Sequence, residues 1–164
     1  MEELLIHPFP ALYDEDSRIL ILGSFPSVKS REEGFYYAHP QNRFWRIMER
    51  LFGTKLQTID EKKAFLHKEH IALWDSIASC TIHGSADSAI ENATANDIKG
   101  LIEKTRINAI FTNGAKAHDI YMRYCLKNTG MIPVKLPSTS PANAAYSLDR
   151  LLESWKTIQA ILYS

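Results

Sequence analysis

Arg18-Ile19-Leu20-Ile21-Leu22-Gly23, running on into Ser24-Phe25-Pro26-Ser27, is the stretch on which the fold turns. Residues 19–22 are apolar without alternation, the pattern of a strand covered on both faces. Three further β-type runs lie downstream, at residues 70–74 (HIALW), 108–112 (NAIFT) and 132–136 (IPVKL). The proline of the last run suits a sheet edge or a strand start.

Helical periodicity fills the intervals. Phe44, Ile47, Met48, Leu51 and Phe52 recur at i, i+3, i+4, i+7 and i+8. That spacing predicts an amphipathic helix over 42–52, stopped by Gly53. Asp60 and Asn96 stand where they would cap helices over 61–69 and 97–104. Ala117, Ile120, Tyr121 and Tyr124 share a face over 114–127, and Leu148, Leu151, Leu152, Trp155 and Ile158 share one over 143–163. Asp75 would cap a short helix at 76–80, and 24–41 and 79–95 read as long loops. Strands alternating with helices predict one α/β domain over residues 1–164. It is expected to be a three-layer α/β/α sandwich around a four-stranded parallel sheet. Such sheets bind ligands beyond the carboxyl ends of their strands. The exits are Ser24–Ser27, Asp75-Ser76, Asn113-Gly114 and residues 137–141 (PSTSP).

Composition narrows the class. The 164 residues, 45% hydrophobic and 23% charged, suit one globular domain and exclude disorder, collagen and coiled coil. Nineteen bases balance nineteen acids, but unevenly along the chain. Residues 2–16 carry five acids and no Lys or Arg, whereas 104–135 carry six bases against Asp119. A basic region of that kind suits a polyanion-facing side. No apolar run is long enough to span a membrane, and residues 1–16 lack the basic start of a signal peptide. The two cysteines, Cys80 and Cys125, read as reduced thiols of a cytoplasmic protein. No HExxH, GxGxxG, GKS/T or GxSxG pattern occurs, so no metal, nucleotide cofactor or serine-hydrolase elbow is expected.

The most unusual segment is residues 34–45 (GFYYAHPQNRFW), where three aromatics precede a polar turn and a helix. Aromatics on a loop make stacking surfaces for bases. Together with residues 23–27 (GSFPS) and 136–142 (LPSTSPA), the portion 37–45 resembles motifs of the uracil-DNA glycosylase superfamily. Residues 74–80 (WDSIASC), 84–90 (GSADSAI) and 111–114 (FTNG) complete an ordered set over about 18–155. The set is most similar to the hypoxanthine-DNA (deoxyinosine) glycosylase branch. The resemblance implies a four-stranded parallel sheet between helices and a DNA groove across its carboxyl edge. It also implies a flipped nucleotide, hydrolysis of the N-glycosidic bond without metal or other cofactor, and a monomer acting on DNA that contains deaminated bases.

The resemblance also assigns residues. Ser24 and Phe25 fall in the first motif. Uracil-excising relatives usually place Asp or Asn where Phe25 stands, and Phe cannot orient water. Tyr37 matches the aromatic that stacks on the flipped base. Asn42 matches the asparagine that positions water in the missing group's place, and so is the expected catalytic residue. Asp75 stands where relatives often read the base. A carboxylate there accepts from the N1–H of hypoxanthine and repels N1 of adenine. Asn113 is expected at the base or as a helix cap. Ser138, Thr139, Ser140 and Pro141 match the phosphate-gripping motif, Ala142 and Asn143 would enter the gap left by the base, and Lys116 would reach a phosphate. Two other functions fit the same fold: a non-catalytic nucleic-acid-binding module and a small-nucleoside hydrolase.

Overall fold

All five residues of Ile19–Gly23 are buried in a strand that pairs on both sides. A computed structural model of the chain describes residues 2–83 and 90–164. In chain order these residues form β1 (Glu2–Ile6), β2 (Ile19–Gly23), α1 (Val28–Glu33), α2 (Phe44–Phe52), α3 (Ile59–Glu69), β3 (Ile71–Asp75), β4 (Ile77–His83) and β5 (Ile90–Ala95). They continue as α4 (Ile98–Glu103), β6 (Ala109–Asn113), α5 (Ala115–Tyr124), α6 (Leu126–Thr129), β7 (Val134–Leu136), α7 (Leu148–Trp155) and α8 (Thr157–Leu162).

The main sheet has the order β3-β2-β6-β7, and every pairing is parallel. β2 shows why it needs a layer on each side. Ile19 and Ile21 enter a core with Phe44, Ile47 and Met48 of α2, Phe65 of α3 and Trp155 of α7. Leu20 and Leu22 point the other way, to Leu101 of α4 and Tyr121 of α5. Successive side chains of a strand face opposite sides, so an unbroken apolar run demands two cores. The three-layer arrangement expected from the sequence is present.

A second sheet was not expected. β1, β4 and β5 form an antiparallel sheet in the order β1-β4-β5. The short helix expected at 76–80 is strand from Ile77 onward, and within the loop expected over 79–95 residues 79–83 and 90–95 are antiparallel strand. β1 hides its period: Leu4 and Ile6 face solvent at 69% and 71% exposure, while Leu5 packs on the Phe25–Ile77–Cys80–Ile120 cluster. The 84–90 motif lies outside the described residues but for Ile90, which begins β5.

Helix ends differ in detail. Thr58, not Asp60, caps α3, in a reciprocal box with Glu61. Asp97, not Asn96, caps α4. The expected helix over 143–163 begins only at Leu148, capped by Ser147, and the chain before it is loop. α1, capped by Ser27, falls within an expected loop. Among the described residues no helix is long and apolar enough to cross a membrane.

Trp155 links the closing helix to the site. It is fully buried, and its indole N–H donates to the carbonyl of Pro137 at 2.9 Å. Trp155→Phe keeps most of the ring and removes the donor. Denaturant unfolding should show a loss of about 1–3 kcal/mol, the usual cost of orphaning a buried acceptor. An unchanged midpoint would show that the Pro137 carbonyl does not depend on the indole.

Candidate active site

The parallel register brings the strand exits to one edge. Gly23 is the register partner of Asp75, and Asn113 that of Leu136. Above this edge lies a cavity of about 140 Å³. Its walls come from 23–27 beyond β2, from Asp75, from Asn113, from 138–140 beyond β7, and from Tyr36, Tyr37 and Asn42. Ser24, Phe25, Tyr37, Asn42, Asp75, Asn113, Ser138, Thr139 and Ser140 are therefore brought together.

Asp75 is 3% exposed. Its Oδ2 lies 2.8 Å from Nε2 of His7, on the segment just after β1, and both side chains are 5% exposed. Its Oδ1 lies over Gly23, where a β-carbon would sit only 2.4 Å away. The glycine is thus needed for close approach. Asp75 caps no helix, because β3 passes into β4 through Ser76 alone. The amide of Asn96 holds that junction by donating to the carbonyls of Asp75 and Ile77 at 2.8 and 3.2 Å. His7 is one site residue that the sequence does not single out. It is 68 positions from Asp75, and no local pattern relates them.

Asn42, Asn113 and Thr139 form one hydrogen-bonded unit. Asn113 Nδ2 donates to Thr139 Oγ1 at 3.0 Å, and the Thr139 N–H donates back to Asn113 Oδ1 at 3.0 Å. The Thr139 hydroxyl then donates to Asn42 Oδ1 at 2.8 Å, which also accepts the Phe44 N–H at 2.9 Å. Both lone pairs of that oxygen are occupied, which leaves the amide N–H₂ as the free half of the Asn42 side chain. Thr139 is 1% exposed and its hydroxyl and N–H are engaged by Asn42 and Asn113, so it seats the loop.

Arg43, also missed, clamps the loop that follows. Its guanidinium donates to the carbonyls of Ser140 and Asn143 at 2.9 and 3.0 Å, and to that of Tyr146. Its own N–H donates to the Thr139 carbonyl at 3.0 Å. The loop also holds itself: the Ser140 and Ala142 N–H groups donate to Ser138 and Ser140 hydroxyl oxygens, and Asn143 Nδ2 donates to the Ser138 carbonyl. Those two backbone donors are occupied, but the serine hydroxyl protons remain for an outside acceptor.

The aromatics are equally constrained. Tyr37 has φ 54°, strained for a residue with a side chain, and stacks on Phe44 with centroids 4.2 Å apart. Its hydroxyl is pushed above the usual tyrosine range by burial first and by the charge of Asp75 second. Phe25 lines the cavity and also packs on Ile77 and Ile120.

A larger groove of about 580 Å³ adjoins the cavity, sharing Ser138 and Ser140 with it. Lys135, Ala142, Asn143 and Tyr146 line it. Lys116 sits exposed in the first turn of α5 and lines neither opening, and Pro141 is exposed on the loop.

The chain is similar to known proteins along most of its length. The family model described as the uracil DNA glycosylase superfamily matches residues 10–161. A protein of Methanosarcina acetivorans named hypoxanthine DNA glycosylase is 37% identical over 153 residues, 92% of this chain and 95% of that one. A protein of the same name from Methanosarcina barkeri is 33% identical over 112 residues, 66% of this chain and 71% of that one. The solution NMR structure of a candidate uracil DNA glycosylase from Methanosarcina acetivorans superposes with a TM-score of 0.82 at 35% identity. It covers 98% of this chain and 100% of that one.

The closeness of Gly23 to Asp75 is open to test. Gly23→Ala places a methyl group 2.4 Å from Asp75 Oδ1, whose partner oxygen is held by His7. Overpacking of this kind should cost about 1–3 kcal/mol in denaturant unfolding. The imidazole nitrogen resonances of His7 should shift with it. If both stay at their native values, the carboxylate does not lie where it is placed here.

Proposed function

The chain belongs to the uracil-DNA glycosylase superfamily, and on that footing we propose that it is a DNA N-glycosylase of base excision repair that removes deaminated bases, chiefly hypoxanthine from deoxyinosine. The observation that carries this reading is Asp75, a buried carboxylate in the wall of a base-sized cavity. Hypoxanthine offers an N1–H to such an acceptor, whereas adenine offers the bare N1. The names of the two Methanosarcina relatives support the same substrate.

In the proposed reaction the nucleotide leaves the stack and its base enters the cavity beside Tyr37, with Asp75 accepting from N1–H. The groove along Lys135 and the 138–143 loop carries the strand, with serine hydroxyls and Lys135 on phosphates. Phe25 has no hydrogen-bonding group for water. Asn42 takes that part through its amide N–H₂, which donates to the oxygen of the attacking water. The C1′–N9 bond breaks with its electron pair going to the base, the water oxygen bonds to C1′, and the proton that the water loses is taken up by the departing base anion, which leaves a 1′-hydroxyl and neutral hypoxanthine. Among the described residues no lysine lines the cavity, which supports hydrolysis rather than a Schiff-base lyase step. Both cysteines are free and buried, in keeping with a cytoplasmic protein, and we take the acting species to be a monomer.

Cleavage should be assayed in EDTA on a duplex carrying one deoxyinosine, with alkali revealing abasic sites. Asn42→Ala should slow single-turnover cleavage by roughly 10²–10³-fold, as for other lost transition-state hydrogen bonds. Asn42→Asp keeps acceptors for Phe44 and Thr139 but has no N–H, so it should be folded and comparably slow. A fast Asn42→Asp enzyme would remove the donor role from Asn42. A native protein that cleaves no deaminated base but binds DNA would favour the binding-module reading.

Salt dependence locates the strand. Lys135→Ala should flatten the slope of log K against log salt by about one unit if Lys135 neutralises a phosphate. An unchanged slope would move the path of the backbone away from this groove, toward the exposed Lys116.

A further inference from the structure

His7 has no part in the proposed bond cleavage, yet it holds one oxygen of the residue proposed to read the base. Its ring is wedged among three others, with centroids 4.8 Å from Phe9, 5.8 Å from Phe25 and 6.0 Å from Tyr36. Nδ1 is buried and has no hydrogen-bond partner among the described residues. The single polar contact of the imidazole is therefore Nε2 with Asp75 Oδ2, at 2.8 Å. A ring packed on several sides and bonded at one atom has little freedom to turn away.

We propose that His7 is the specificity-determining partner of Asp75: by holding Oδ2, it makes Oδ1 a hydrogen-bond acceptor only, and so bars adenine from a cavity that admits hypoxanthine. This rests on the reading of Asp75 as the base-contacting group. The argument is independent of where the shared proton resides. If Nε2–H donates, Asp75 is a carboxylate and Oδ1 carries only lone pairs. If Asp75 is the donor, its hydrogen lies on Oδ2 and points at Nε2, and Oδ1 again carries only lone pairs. In both cases Oδ1 can accept from N1–H of hypoxanthine and can offer nothing to N1 of adenine.

A carboxyl group buried without this partner would behave differently. Nothing would then fix on which oxygen a carboxyl proton sits. A neutral carboxyl presents a donor and an acceptor side by side, which match N1 and the N6 amino group of adenine. The undamaged base would then be bound by the group meant to exclude it. The other ionisable groups beside Asp75 do not supply a substitute. Tyr36 and Tyr37 both have their hydroxyls held above the usual tyrosine range, by burial first and the Asp75 charge second. The Tyr36 hydroxyl donates to the carbonyl of Pro10.

The test compares single-turnover cleavage of deoxyinosine and deoxyadenosine in one duplex context, with protein in excess so that slow cleavage is measurable. The ratio of the two rates does not depend on the fraction of protein that is folded, so a merely structural role for His7 would not move it. His7→Phe and His7→Met remove the polar atom while keeping apolar bulk among the three rings. Each should reduce the preference for deoxyinosine by roughly 10–100-fold, the range for losing a hydrogen bond to a charged group. His7→Gln, which can donate to Oδ2, should restore a ratio close to the native one. A native ratio in both the Phe and Met variants would overturn the proposal, as would a Gln variant no better than Phe. Asp75→Asn separates this from failure of the parent reading. If Asp75→Asn leaves the ratio unchanged, Asp75 does not read the base and the role of His7 falls with it. If Asp75→Asn changes the ratio and the donor-free His7 variants do not, only the role of His7 is lost.

Discussion

The parallel register of β2 with β3 and β6 is the constraint on which the site depends. Because Gly23 is level with Asp75, and Leu22 with both Trp74 and Thr112, the chain leaves all three strands at one edge. Hydrogen-bonded parallel strands keep their ends in step, and the layers on either face prevent a slip, since a shift of one residue would turn Ile19 and Ile21 into the wrong core. Asp75, Asn113 and residues 138–140 need no long loops to reach one another, whereas Tyr37 and Asn42 arrive on the segment between α1 and α2. The first group needs only to lie at or just beyond the last residue of a strand.

At that edge the polar groups are arranged by occupying one half of each. Asn42 has its oxygen taken and its nitrogen free; Asp75 has Oδ2 taken and Oδ1 facing the close-packed Gly23. Ser138 and Ser140 accept from the loop backbone and keep a proton. Amides, carboxylates and hydroxyls are ambiguous partners in water, able to present more than one face. Fixing one half by the fold makes the other half definite, and that is what discrimination between similar bases requires.

Arg43 organises the outer wall by a related device. Its charge meets backbone carbonyls of Ser140, Asn143 and Tyr146 rather than an acid. The carbonyls accept from its two Nη groups without neutralising the charge, while its buried Nε has no hydrogen-bond partner among the described residues.

The central strand, the two-sided sheet, the Gly53 stop of α2 and the four strand exits were legible in the chain, because each depends on a local pattern of apolar residues or turn-formers. The second sheet was not, because β1 exposes Leu4 and Ile6 and β5 sets Glu91 and Asn92 side by side with only two alanines for apolar residues after them, so neither has a readable alternation. Likewise, residues 23–27, 37–45 and 136–142 pointed to the site, and the structure gathers Asn42, Asp75, Asn113 and the 138–140 segment around one cavity. What only the tertiary structure decided is which atoms of those residues are free. Thr139 turns inward, the oxygen of Asn42 is occupied, and His7 and Arg43 reach residues 68 and 97 or more positions away. Sequence determines which hydrogen-bonding groups a segment carries. Their partners come from other strands and loops, through distances that exist only after the chain has folded.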